Sequence, residues 1–187
     1  MSTAKPVNPL PKWLTKVTPE LAARGQLESA IFLWFLEADP ASIHTLSVAA
    51  QGVLNAIGRP RGTKSQAVEW INLQSRSFRD RVRDAQNFFK HGRHHQRDKA
   101  VFIYAPFMAE VFMMDAVTHF YRLYESLTPI MILFALRFSL AHPNVLLPHG
   151  FPAHLLKGVR IDQLAKLDRS EFLKELLPRI VAAVQGA

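Results

Sequence analysis

Apolar residues in this chain recur three and four apart, the period of one face of a helix at about 3.6 residues per turn. Thr18, Pro19 and Glu20 open the first helix: a capping hydroxyl, a first-turn proline and an acid near the positive end. Leu21, Leu27, Ile31, Trp34 and Phe35 carry its stripe, and the tract AIFLWFLEA is apolar nearly all round, which predicts a central helix. Asp39 and Pro40 restart the chain as a second helix, with Ile43, Leu46, Ala50, Val53, Leu54 and Ile57 inward and a stop at Gly58. A short helix over 65–73 presents Trp70 and Ile71, which read as core rather than as a stacking platform. The next helix, 76–91, stacks Phe78, Val82, Ala85 and Phe89 on one side and closes at Gly92. The longest covers 106–126, and another runs from Pro129 to just before Pro143. Near the end, Asp168 or Ser170 caps a helix whose apolar face is Phe172, Leu173, Leu176, Leu177, Ile180 and Val184, with Pro178 kinking or splitting it.

These elements predict an all-α fold: a helical bundle of about five core helices plus a C-terminal helical extension. The bundle spans 18–141. A basic arm with Pro6, Pro9 and Pro11 precedes it over 1–17, and a proline-containing connector and closing helix follow over 142–187. The longest apolar runs, 30–36 and 130–136, fall far short of the roughly 20 residues that span a bilayer. No membrane contact is expected, and the default is a soluble, cytoplasmic protein. The chain has no cysteine, which excludes disulfides, thiolate metal sites and cysteine nucleophiles.

Charge narrows the partners. The net charge is +8, with a sequence pI near 10.1, which suits an anionic partner such as nucleic acid or simply good solubility. The excess is concentrated. Over 76–99 stand Arg76, Arg79, Arg81, Arg83, Lys90, Arg93, Arg97 and Lys99, against Asp80, Asp84 and Asp98.

The densest candidate chemistry lies on the same stretch. Opposite the apolar side of helix 76–91 fall Asp80, Asp84, Asn87 and His91, with Arg76 and Arg83 beside them. Asn87 and His91 are four apart and therefore neighbours. His91 sits in the last turn, where the helix dipole favours the protonated ring, and an imidazole near neutrality gives or takes a proton. Arginine holds a phosphate by paired hydrogen bonds. Together these are the parts for metal-free RNA cleavage, in which the 2′-hydroxyl attacks its own phosphate; the plainer alternative is a solvated polar face. Elsewhere, Asp115 and His119 lie one turn apart and read as a pair that satisfies itself. Their rival role as metal ligands lacks the Glu-x-x-His motifs of di-iron bundles, so no metal and no cofactor are expected. His44, one turn into the second helix, reads as a histidine that hydrogen-bonds a neighbouring helix or water rather than as a ligand or catalytic group. Arg137 stands in apolar surroundings and requires a partner, Glu110 or Asp115. No GxSxG, HExxH or GxGxxG is present.

Asn87-Phe88-Phe89-Lys90-His91, late in a helix of an all-helical domain, resembles the signature of the HEPN superfamily: an arginine, a polar residue, a short spacer, then histidine. The likeness covers about residues 19–141. It implies a helical bundle that pairs as a homodimer and brings two motifs into one cleft. Many members are metal-independent ribonucleases of toxin or phage-defence systems; others are inactive binding or scaffold modules. By the match, His91 takes the catalytic histidine and Asn87 the polar position. Gln86 stands where the signature has arginine, and Arg83, one turn back, is the alternative phosphate contact. Arg76, Arg79, Lys90, Arg93 and Arg97 would then hold the RNA backbone. The tract SIHTLSVAAQGVL followed by NFFKH is also similar to a pattern in uncharacterised bacterial proteins, which implies no mechanism.

Overall fold

The computed structural model describes residues 14–91, 103, 105–142 and 161–186, apart from the side chains of Lys90, His91, Ile161 and Asp162. All of its regular structure is helical. In order come α1 (Pro19–Phe35), α2 (Pro40–Gly58), α3 (Gln66–Asn72), α4 (Arg76–His91), α5 (Phe107–Tyr124), α6 (Pro129–Ala141), α7 (Ile161–Leu164) and α8 (Arg169–Gln185). The all-α bundle expected from the periodicity is therefore the observed fold.

Local chemistry sets the starts. Thr18 accepts a hydrogen bond from the Leu21 amide, and Asp39 accepts one from Ser42, each ahead of a first-turn proline. Asp168 forms a capping box with Glu171, which leaves Ser170 inside α8. That helix runs unbroken through Pro178.

Helix α2 ends at Gly58, where the sequence places its stop. Gly58 itself keeps right-handed helical geometry, and the left-handed residue that turns the chain comes after a 3-10 turn (Arg59–Arg61), at Gly62 with a φ of 72°. Gly58 is required for another reason. A Cβ there would lie 2.3 Å from Thr63 Oγ1 and 2.4 Å from His119 Nε2, so only glycine lets α5 and the following loop come this close.

The core lies where α1, α2, α5, α6 and α8 meet. Phe35, Phe112, Phe134 and Phe172 are fully buried, as are Leu27, Ile31, Leu54, Met113, Met131 and Leu133. Helix α6 is buried over its whole 130–136 tract, and α5 is buried continuously from Phe112 to Phe120. Although its AIFLWFLEA end is apolar nearly all round, α1 leaves Phe32 exposed, and Leu36 just past it, because its partners cover only the side that carries Ala23, Leu27, Ile31 and Trp34.

Two further expectations are corrected. The inward stripe of α2 is rotated towards Ile43, His44, Ser47, Ala50, Gln51, Leu54 and Gly58, leaving Leu46, Val53 and Ile57 only partly covered. The rotation turns Gln51 towards the polar residues of α5, with which it bonds. Arg137 pairs with neither Glu110 nor Asp115. Its guanidinium donates to the Leu167 carbonyl at 3.0 Å and lies over the Phe172 ring. Glu110 is taken up elsewhere. Its carboxylate accepts from Trp34 Nε1 and Arg169, each at 3.0 Å, and meets the His142 ring at 3.4 Å, joining α1, α5, α6 and α8.

Candidate functional site

Helix α4 lies against α2 and α3 by its apolar side, with Ala85 buried and Phe78, Val82 and Phe89 partly covered. Its outer face carries the arginines. Arg76 is almost fully exposed, and Arg83 is two-thirds exposed. Both reach Asp80, at 3.8 and 2.6 Å. Surface pairs of this kind contribute about 1 kcal/mol or less each. Arg79 donates to the carbonyls of Asn72 and Gln74 at 3.0 and 3.1 Å, closing the end of α3. Arg81 is exposed and has no ion-pair partner among the described residues.

Two grooves flank this helix. The first, about 460 Å³, has Arg76, Arg79 and Arg83 on its wall and Val68, Ile71 and Phe112 beneath. The second, about 860 Å³, runs along α2, with Val48, Val53 and Ile57 in its wall and His44, Gln86 and Asn87 around it. Arg83 and Asn87, one turn apart, thus open into different grooves, and Gln86 borders both. His91 and Lys90 close α4, but their side chains lie outside the described residues, as do Arg93 and Arg97 altogether. The structure places Arg76, Arg79 and Arg83 together, and it does not join Arg83 to Asn87.

His44 is buried beside the second groove, edge-on to Phe89 and Phe112 at 5.3 and 5.6 Å. Burial holds its imidazole down to about 4, so the ring is neutral at physiological pH.

The tightest polar cluster is inside. Asp115 and His119 do not bond to each other, contrary to expectation. Asp115 accepts from Ser65 Oγ at 2.6 Å, from Gln51 Nε2 at 2.9 Å and from the Ala67 amide at 2.9 Å. That amide lies in the first turn of α3, so the carboxylate also satisfies an otherwise orphaned donor. His119 Nε2 meets Thr63 Oγ1 at 3.0 Å, while its Nδ1 is buried without a hydrogen-bond partner. Burial lowers the His119 pKa, with Asp115 pulling it up and Arg122 pushing it down. Each residue therefore ties a different part of the loop between α2 and α3 to α5. Three donors leave Asp115 little capacity to act on anything else, and the cluster reads as architecture.

Sequence reasoning missed Gln51, a polar residue at a buried α2 position, and misplaced Trp70. Trp70 is 48% exposed, edge-on to Phe78 at 5.6 Å. Nothing in the sequence QAVEWIN marks Trp70 as outward, because in this short helix only Ala67 is buried and that depends on where α4 and α5 lie.

Among the described residues, no three His, Asp or Glu side chains come together to hold a metal, and no helix is long and apolar enough to cross a membrane. No family model, curated protein or solved structure matches the chain.

Proposed function

We propose that this protein is an RNA-directed helical module of HEPN type that engages the phosphate backbone through the outer face of α4. The observation that carries the reading is the wall of three arginines, Arg76, Arg79 and Arg83, along one groove, with exposed Arg81 on the same helix. Such a wall suits phosphates, and the apolar side chains beneath suit the sugar and base edges between them.

The catalytic form of this proposal gives His91 the general acid/base role, Asn87 the orienting role and Arg83 the phosphate. Pairing of two copies would bring both motifs into one cleft. A second form, a catalytically silent binding or scaffold module, draws support from a specific observation. Arg83 is engaged by Asp80 at 2.6 Å and faces a different groove from Asn87.

One experiment separates the forms. Incubate the parent and a His91→Ala variant with RNA in the presence of a chelator, and measure affinity as salt is raised. Cleavage by the parent alone assigns catalysis; identical traces with salt-sensitive binding assign the silent module. An affinity that does not fall with salt rejects nucleic acid as the partner.

A further inference from the structure

We infer that Trp70 is a stacking platform for an unpaired base of single-stranded RNA, a contact that rests on the RNA reading above and adds to it a preference for unpaired strands. The argument starts from exposure. Trp70 keeps 48% of its surface in water, so a large aromatic ring is open to a ligand. Its ring is not loose. Phe78 of α4 meets it edge-on at an interplanar angle of 85°, which props the indole while leaving a face for a planar ligand.

The surroundings select the ligand. Arg79 is anchored to the carbonyls of Asn72 and Gln74, within one turn of Trp70. Arg76 and Arg83 follow along α4 on the wall of a groove that Ile71 and Asn72 line and Trp70 does not. The neighbouring acid, Glu69, is held by Lys64 at 3.3 Å. An exposed aromatic ring one turn from an anchored guanidinium group, with further cations in the adjoining groove, suits a single strand that lays phosphates on the cations and a base on the ring. Duplex RNA keeps its bases stacked inside and offers no face to an indole.

The test titrates the full chain against a fluorescently labelled single-stranded oligouridylate, at low salt with chelator, reading anisotropy for affinity and tryptophan emission for stacking, for the parent, Trp70→Ala and Trp70→Phe. Tryptophan quenching in the parent that is absent from Trp70→Phe, with at least about a tenfold loss of affinity by anisotropy in Trp70→Ala, supports the platform. Equal affinity of parent and Trp70→Ala overturns the platform and leaves the RNA reading standing. Failure of every protein to bind any RNA overturns both. Sedimentation that shows an RNA-free dimer dissolved by Trp70→Ala would assign this face to a second copy and overturn the proposal.

Discussion

Asp80 on α4 and Asp115 on α5 are the same side chain in opposite regimes. Asp80 faces two arginines in partial exposure, at 2.6 and 3.8 Å. Asp115 is 8% exposed and accepts from three uncharged donors. Water screens the first, so its arginines give up little when they turn to another anion. The second has no solvent to fall back on, so its donors are irreplaceable. The polar groups richest in apparent chemistry therefore stay available to a partner, while those best organised serve only the fold. Variants should sort accordingly: inner ones lose stability, outer ones lose binding.

The largest effect belongs to Asp115→Ala. It strands a hydroxyl, an amide and a backbone N–H in the interior, and the expected cost is about 3–5 kcal/mol in urea denaturation. Asp115→Asn, which keeps one acceptor, should lose less. If Asp115→Ala retained stability but abolished RNA binding, the division between inner and outer regions would be wrong. Next comes Gly58→Ala. Its Cβ would overlap Thr63 Oγ1 and the rigid His119 ring, at an expected cost of about 1–3 kcal/mol, even though alanine favours the helix.

These two positions mark what the sequence could and could not convey. Periodicity and caps revealed the helices, because a 3.6-residue pattern and a Thr-Pro or Asp-Pro start are local properties. Thr18, Asp39 and Asp168 all cap as the sequence implied. Gly58 ends α2 as implied, but the second demand for glycine there was hidden, because it comes from Thr63 in the next loop and from His119 of α5, about sixty residues along the chain. Gln51 was invisible for the same reason: a glutamine among apolar residues looks like a surface position until Asp115 is set against it. Of the candidate site, the placing of Arg76 and Arg83 on one side of α4 was legible from spacing, and Arg79 joining them on one wall was not. Nor was the division of the site between two grooves, since that depends on where α2 and α3 lie.

The histidines offer a pH test of the inner region. Burial holds His44 to about 4, against about 6.5 in an unfolded chain. Between those values the unfolded chain binds the proton and the folded one does not, so stability rises with pH. The contribution is complete above about 6.5 and is lost as pH falls towards 4. From pH 7 to pH 5 the expected loss is about 2 kcal/mol, read from urea midpoints. His119, also lowered by burial, acts in the same direction. His44→Phe should flatten most of the slope, since a phenyl ring suits the edge-on packing against Phe89 and Phe112. An unchanged slope would place the titration elsewhere.

The smallest stability change is expected on the outer face, and there it is the most informative. Arg81→Ala removes an exposed side chain and should shift the urea midpoint by no more than about 0.5 kcal/mol. Arg83→Ala also gives up the bond to Asp80, a pair of the screened kind, and should stay within about 1 kcal/mol. If these guanidinium groups hold phosphates, each loss should weaken RNA binding across sequences and make the logarithmic salt dependence shallower by about 0.7. The two variants also test the position of the strand. Arg83 stands on the groove wall and Arg81 does not, so an RNA seated in the groove responds more to Arg83→Ala. Equal responses would instead describe diffuse attraction to the whole helix. No response from either would leave α4 a solvated polar face, with its carboxylate and its arginines answering only to one another.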